Sequence, residues 1–265
     1  GACNLLAQER WKEAEDALKK SEEMCKRFLE EEGESEEDIA RETGIIRVQI
    51  GFALQMQGRD REAQALYNQV MKTKPSDIGL VAVASNNLLT LNKDQNIFDS
   101  KKRIKAATVD GLEHKLTTAH RRTIARNNAL LAMYTNQVEL CQQLIKELAD
   151  KFDIDTEDRD LILAGVLARS GKQQEAVDIL LGNKTKDLEK ILIATQILLE
   201  KGEINESIKI LNQLPSESKY RPGILSALVT LHLAADNRMG AAKLLKEAVA
   251  WNKKNKTGGD MSVVW

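Results

Sequence analysis

The chain has 265 residues, 42% of them apolar, 30% charged and 4% aromatic, and a formal net charge of -1. Three prolines are about 1% of this length against an ordinary ~5%, and Ala, Leu, Lys, Glu and Gln, all strong helix formers, are abundant. This composition disfavours a β-sandwich or barrel and supplies enough apolar surface to disfavour disorder.

A five-point spacing recurs along the chain. Two packing residues stand at +0 and +3, a turn residue at +7, a small residue at +12 and a larger one at +16. The first two share a face of one helix, because three residues are close to a full turn. A Gly, Asn or Asp at +7 ends that helix in a left-handed turn. The small residue lets a second helix lie close, and the larger one follows one turn later on the same face. The spacing therefore predicts an antiparallel helix pair.

Ala2, Leu5, Glu9, Ala14 and Leu18 open the series. The acidic run 30–38 then reads as a solvated loop between pairs. Gly51, Leu54, Gly58, Ala63 and Tyr67 form the clearest copy, and Pro75 starts the link to the next. Ser85, Leu88, Asn92, Ile97 and Lys101 form the weakest. An irregular insertion over about 105–120 follows, with Asp110-Gly111 as its turn signal. Ala129, Ala132, Asn136, Cys141 and Ile145 come next, and then a polar helix start over Asp153–Asp158 offers several N-caps. Ala164, Leu167, Gly171, Ala176 and Leu180 fit fully. Thr195, Leu198, Gly202, Ser207 and Leu211 follow, and Val229, His232, Asp236, Ala241 and Leu245 close the series. The successive starts are 49, 34, 44, 35, 31 and 34 residues apart. Three of these lie within one residue of 34, the period of the tetratricopeptide repeat. The pattern resembles that family. The expected fold is all-α, a right-handed superhelical solenoid of about seven such pairs, forming a single array over 1–265. Gly1 at the start of a helical pattern and the apolar Val263-Val264-Trp265 at the finish read as the ends of an excised fragment.

Signatures of catalysis are absent. The three cysteines, Cys3, Cys25 and Cys141, show no CxxC and read as reduced, small apolar packing residues of an intracellular chain. His114, His120 and His232 have no partners at metal-ligand spacing, and His232 falls on a packing position. There is no GxGxxG, GxxxxGK[ST] or GxSxG. The expectation is a non-enzyme with no cofactor, no metal and no small-molecule substrate. No apolar run reaches the ~18 residues of a membrane span. Two basic clusters stand out, Lys101-Lys102-Arg103-Ile104-Lys105 and Lys253-Lys254-Asn255-Lys256, but a net charge of -1 gives no global attraction to nucleic acid.

Arrays of helix pairs bind extended peptides or helices along the surface lined by their first helices. The side chains expected there are Val48, Phe52 and Gln55 in the second pair and Ala82, Asn86 and Leu89 in the third. Arg126, Leu130, Met133 and Tyr134 are expected in the fourth. Asn86 and Asn127 could hold a peptide backbone through their amides, while Asn86 and Asn87 could equally satisfy neighbouring helices. Phe52 and Tyr134 could equally pack between repeats. A chaperone-cofactor adaptor that clamps a C-terminal carboxylate would need basic groove residues, and Arg126 is the main one here.

Four segments carry a closer resemblance: Gly58 to Pro75, Asn86 to Lys102, Asn128 to Gln137 and Pro222 to Thr230. They are similar to the 72-kilodalton-subunit family of the eukaryotic signal recognition particle. That resemblance implies a cytoplasmic scaffold, transiently at the endoplasmic reticulum surface during co-translational targeting. It implies that the repeats hold a C-terminal segment of the 68-kilodalton subunit. The family's RNA-contacting basic region lies further toward the C-terminus, so the resemblance implies that RNA is reached only indirectly, through the assembled particle.

Overall fold

The computed structural model describes residues 1–93, 95–152, 154–182 and 187–255. Asp94, Asp153, Lys256 and the terminal Val263-Val264-Trp265, all used in the sequence reading, lie outside the described residues. Among the described residues every regular element is helical, and seven tetratricopeptide-like pairs follow one another. They are α1 (Ala2–Ala7) with α2 (Trp11–Glu31), α4 (Gly44–Met56) with α5 (Asp60–Lys72), and α6 (Ile78–Asn92) with α7 (Ile97–Ala107). Then come α8 (Thr118–Tyr134) with α9 (Val138–Lys151), α10 (Thr156–Arg169) with α11 (Gln173–Leu180), α12 (Leu188–Glu200) with α13 (Ile204–Asn212), and α15 (Pro222–Ala234) with α16 (Arg238–Asn255). Two short helices, α3 (Glu36–Glu42) and α14 (Ser216–Lys219), sit between pairs. The chain divides into two compact units, one of residues 1–135 and 139–153 and the other of 136–138 and the residues from 154 onward.

The recurring spacing has a concrete basis at the turn. At Gly58, Gly171 and Gly202 the backbone is left-handed, with φ of 76°, 86° and 84°. Glu9, Asn136 and Asp236 adopt the same region at 58°, 55° and 53° despite their side chains. In five pairs the next N–H reaches back to the carbonyl of the +3 residue: Arg10 to Leu5, Arg59 to Leu54, Lys172 to Leu167, Glu203 to Leu198 and Asn237 to His232, at 2.8–3.0 Å. This is the Schellman arrangement, which satisfies a carbonyl that the helix end leaves orphaned. The small +12 residues Ala14, Ala63, Cys141, Ala176 and Ser207 are completely buried. Burial also pushes the Cys141 thiol up to about 11, so it stays a neutral packing group.

The weakest copy is displaced. In the third pair the positive-φ residue is Lys93, not Asn92, with a ψ of -122° that is not left-handed helical, and the turn runs on to Asn96, whose side chain caps α7 by accepting from Asp99 N–H at 3.2 Å. The longer turn delays the second helix. Ser100 and Ile104 therefore occupy its packing face, and Ile97 and Lys101, assigned there from sequence, are exposed.

Two expected irregular stretches are more ordered than anticipated. Most of the acidic run 30–38 is helix, because α2 continues through Glu31 and α3 begins at Glu36. Ser35 caps α3 by accepting from Asp38 N–H at 3.2 Å, and Glu36, Glu37 and Asp38 fill its first turn, where the helix dipole favours negative charge. In 105–120, α7 runs to Ala107 and α8 starts at Thr118, and a 3₁₀ turn at Leu112–His114 lies between them. Gly111 begins that turn at φ 87°. Leu112 is buried, and Leu116 packs on the same cluster of Ala82, Leu89, Ile104 and Ile124. Further on, Asp155 supplies the N-cap expected before α10 and accepts from Glu157 N–H at 3.0 Å.

Candidate functional site

The first unit contains a cavity of about 330 Å³ built on the first helices of its pairs. Leu6 enters from α1. Val48, Gln49 and Phe52 come from one face of α4, and Val83, Asn86 and Asn87 from α6. His120, Thr123 and Ile124 close it from α8. α4, α6 and α8 each contribute residues three or four apart, so one turn of each faces the same space. Val48, Ile124, Asn86 and Asn87 are its buried members, Leu6, Gln49, Phe52 and Val83 are half-buried, and His120 and Thr123 are exposed.

Phe52 is held in place by Trp11, with ring centroids 5.8 Å apart and the planes perpendicular. That edge-to-face geometry suits the ring quadrupoles and fixes the aromatic wall. Below it runs a chain of side-chain hydrogen bonds. Asn127 donates to Asn86 Oδ1 at 2.9 Å, Asn86 to Asn87 Oδ1 at 3.4 Å, and Asn87 to the Tyr67 hydroxyl at 3.2 Å. Tyr67 donates to Gln55 Oε1 at 3.0 Å, and Gln55 donates to Thr90 Oγ1 at 2.9 Å. Five side chains on α4, α5, α6 and α8 are thus linked in sequence before Thr90 returns the chain to α6. Tyr67 is completely buried, and burial holds its hydroxyl well above its ordinary range while the hydrogen bond from Asn87 pulls it back. Gly51 makes room for this ring, because a Cβ there would stand 2.6 Å from Tyr67 Cε1.

A second polar centre joins α2 to the turn between α4 and α5. Glu15 on α2 is completely buried and accepts from Lys19 at 2.6 Å, Gln57 at 3.1 Å and Arg59 at 3.0 Å. Burial raises its pKa, but these donors together with Lys12 outweigh it and bring the carboxyl down to about 2. Arg47 on α4 bonds Glu22 of α2 at 2.8 Å.

The expected site residues divide. Val48, Phe52 and Asn86 line the cavity. Gln55 instead points between helices as a link of the hydrogen-bonded chain. Ala82 and Leu89 are core residues of the neighbouring apolar cluster, at 0% and 7% exposure. On α8, Arg126, Leu130 and Met133 are half-buried and Tyr134 is 38% exposed. These four stand on the C-terminal half of the helix, whereas the cavity meets His120, Thr123 and Ile124 near its start. Of the two roles open to Asn86 and Asn87, the bonding of neighbouring helices is the one present, and both amides also border the cavity. Leu6, Gln49, Val83, His120, Thr123 and Ile124 were missed. The signal available for His120 and Thr123 was the three-residue step leading back to them from Arg126.

No protein-family model matches the chain. Curated relatives do. Over 270 aligned positions it is 37% identical to "Signal recognition particle subunit SRP72" of Canis lupus familiaris, covering 99% of this chain and 40% of the relative. The SRP72 of Homo sapiens matches at the same identity and coverage. That of Caenorhabditis elegans is 34% identical over 257 positions, covering 97% of this chain and 39% of the relative. The chain carries an SRP72-family region. It spans about 40% of the length of the first two SRP72 relatives. Two solved structures are also similar to this SRP72-family region. One is PilF of Pseudomonas aeruginosa, at a TM-score of 0.47 and 15% identity over 86% of this chain and 97% of that one. The other is Naa15/Naa10 bound to HypK-THB, at 0.41 and 15% over 99% and 39%. No helix among the described residues is long and apolar enough to cross a membrane, and no group of three or more His, Cys, Asp or Glu there could hold a metal ion.

Proposed function

We propose that this region is a non-catalytic, protein-binding scaffold of the signal recognition particle. It takes a C-terminal segment of the 68-kilodalton subunit along its first helices, in the cytoplasm and transiently at the endoplasmic reticulum, in support of co-translational targeting. The observation that carries this reading is the cavity. It runs across the first helices of consecutive pairs, with Leu6, Val48, Phe52, Val83 and Ile124 as its apolar lining and the buried amides of Asn86 and Asn87 beside them. An apolar strip from a partner segment would lose water on docking there, and the gain would concentrate in a few buried anchors. The relatives' own name, a subunit of that particle, supports the same setting.

Isothermal titration of the chain with the C-terminal region of the 68-kilodalton subunit tests it. Saturable binding with a negative heat-capacity change is the expected result, since apolar burial produces that sign. Absence of binding heat at several temperatures, with the helical circular dichroism intact, would remove the assignment.

A further inference from the structure

The displaced third pair leaves an unusual surface on α7. Because the longer turn moves the packing face to Ser100 and Ile104, the opposite face carries Phe98, Lys101, Lys102 and Lys105. These are spaced i, i+3, i+4 and i+7, one helical stripe. They border a shallow open depression of about 560 Å³ together with Asp99. Phe98 is 92% exposed, the most exposed large apolar side chain among the described residues. Asp99 is already engaged, accepting from Asn92 at 2.9 Å and Arg103 at 3.2 Å. No carboxylate among the described residues lies within 4 Å of the three lysines, and the charge of Lys102 acts on Asp99 from further off.

We propose that this face of α7 binds a single-stranded stretch of RNA, with one base stacked on Phe98 and neighbouring phosphates on Lys101, Lys102 and Lys105. A bare aromatic ring beside unpaired cations is the arrangement that takes a base by its π-face and its backbone by charge. The stripe from Phe98 to Lys105 rises about 10 Å, which gives room for a few nucleotides. Three positive charges lie within about one Debye length of one another, so they act together even though the whole chain is close to neutral. All three are lysines. Their ammonium groups can meet phosphate as point charges, and the ring beside them offers a base a π-face to stack on, which an acidic peptide would not use, so the pairing of ring and cations favours a single-stranded nucleic acid. The stripe also has no enclosed apolar slot for a peptide anchor. This surface is on a second helix and shares no residue with the first-helix cavity, so it stands or falls independently of the groove. It departs from the expectation that RNA is reached only indirectly.

Fluorescence anisotropy of the whole chain with a short labelled oligouridylate, between about 50 and 200 mM salt, reads the proposal directly. Three phosphate contacts on a single strand give a log–log salt slope of about -2. Phe98→Ala is expected to weaken binding about tenfold. Lys101→Ala, Lys102→Ala and Lys105→Ala combined should abolish the salt slope. Phe52→Ala in the cavity should leave both unchanged. All four α7 side chains are outside the core, so circular dichroism should not move. No binding at low salt, or equal affinity in the α7 variants and the parent, would overturn the proposal. An oligoglutamate that binds as tightly as the RNA and is lost in the lysine variant would also overturn it, making the face an acidic-peptide surface.

Discussion

Gly51→Ala should destabilise the first unit although it places a better helix former in the middle of α4. The added methyl would lie 2.6 Å from Tyr67 Cε1 and 3.0 Å from Cδ1 and Cζ. Those are ring atoms of a completely buried side chain, not the free end of a flexible one. The ring cannot swing aside without disturbing its hydroxyl, which is held between Gln55 and Asn87 at 3.0 and 3.2 Å. Overpacking of this kind costs about 1–3 kcal/mol, and strained or lost hydrogen bonds add about 1 kcal/mol. The helix propensity of alanine returns about 1 kcal/mol. The net loss is about 2 kcal/mol, or a fall of roughly 4–8 °C in the melting of a unit this size. Chemical denaturation followed by circular dichroism measures it. Tyr67→Leu removes the obstacle, so the double variant should lose less than the sum of the singles, with a coupling of about 1 kcal/mol or more. Wild-type stability in Gly51→Ala, or strict additivity in the cycle, would refute the packing argument.

Asn127→Leu leaves Asn86 Oδ1 without its 2.9 Å donor in a buried place, and urea denaturation should show a loss of about 1–3 kcal/mol. Glu15 ionises in the folded chain at about 2, below its ordinary 4.5. A depressed carboxylate stabilises the fold above its unfolded pKa, and that contribution fades as pH falls from about 4.5 toward 2. Glu15→Gln should therefore flatten the acid limb of a stability–pH curve, and an unchanged limb would place the titrating groups elsewhere. Phe52→Ala removes the ring held against Trp11 and should weaken the partner segment at least tenfold by calorimetry while the unit stays folded.

The turn residues were the most legible part of the sequence. A left-handed conformation has few tenants, and Gly58, Asn136, Gly171, Gly202 and Asp236 announced it, while Glu9 was found only because the spacing demanded it. Tyr67 and Gly51 also stood in the template, but their 2.6 Å interlock did not, since spacing along one chain says nothing of the depth of contact. The buried amides resisted reading for a different reason. Asn, Gln and Thr are usually exposed, and only the partners found across helices explain why Asn86, Asn87 and Asn127 can sit at 5%, 9% and 8% exposure. The third pair was misphased because the length of its turn is not encoded by a glycine: Lys93 adopts the positive φ, and the helix after it starts late. On α8 the site residues were placed on the C-terminal half, because periodicity identifies a stripe and not the depth at which neighbouring helices open it.

The hydrogen-bonded run from Asn127 through Asn86, Asn87 and Tyr67 to Gln55 crosses three successive pairs. In a stack of repeats each module ordinarily touches only its neighbours, and the array can fray one module at a time. Here the loss of one pair strands polar groups in the next, so partial opening is penalised twice. The stretch from α4 to α8 should therefore behave as one cooperative block, its slowest backbone amides exchanging with solvent in a single common event rather than in graded steps from an end.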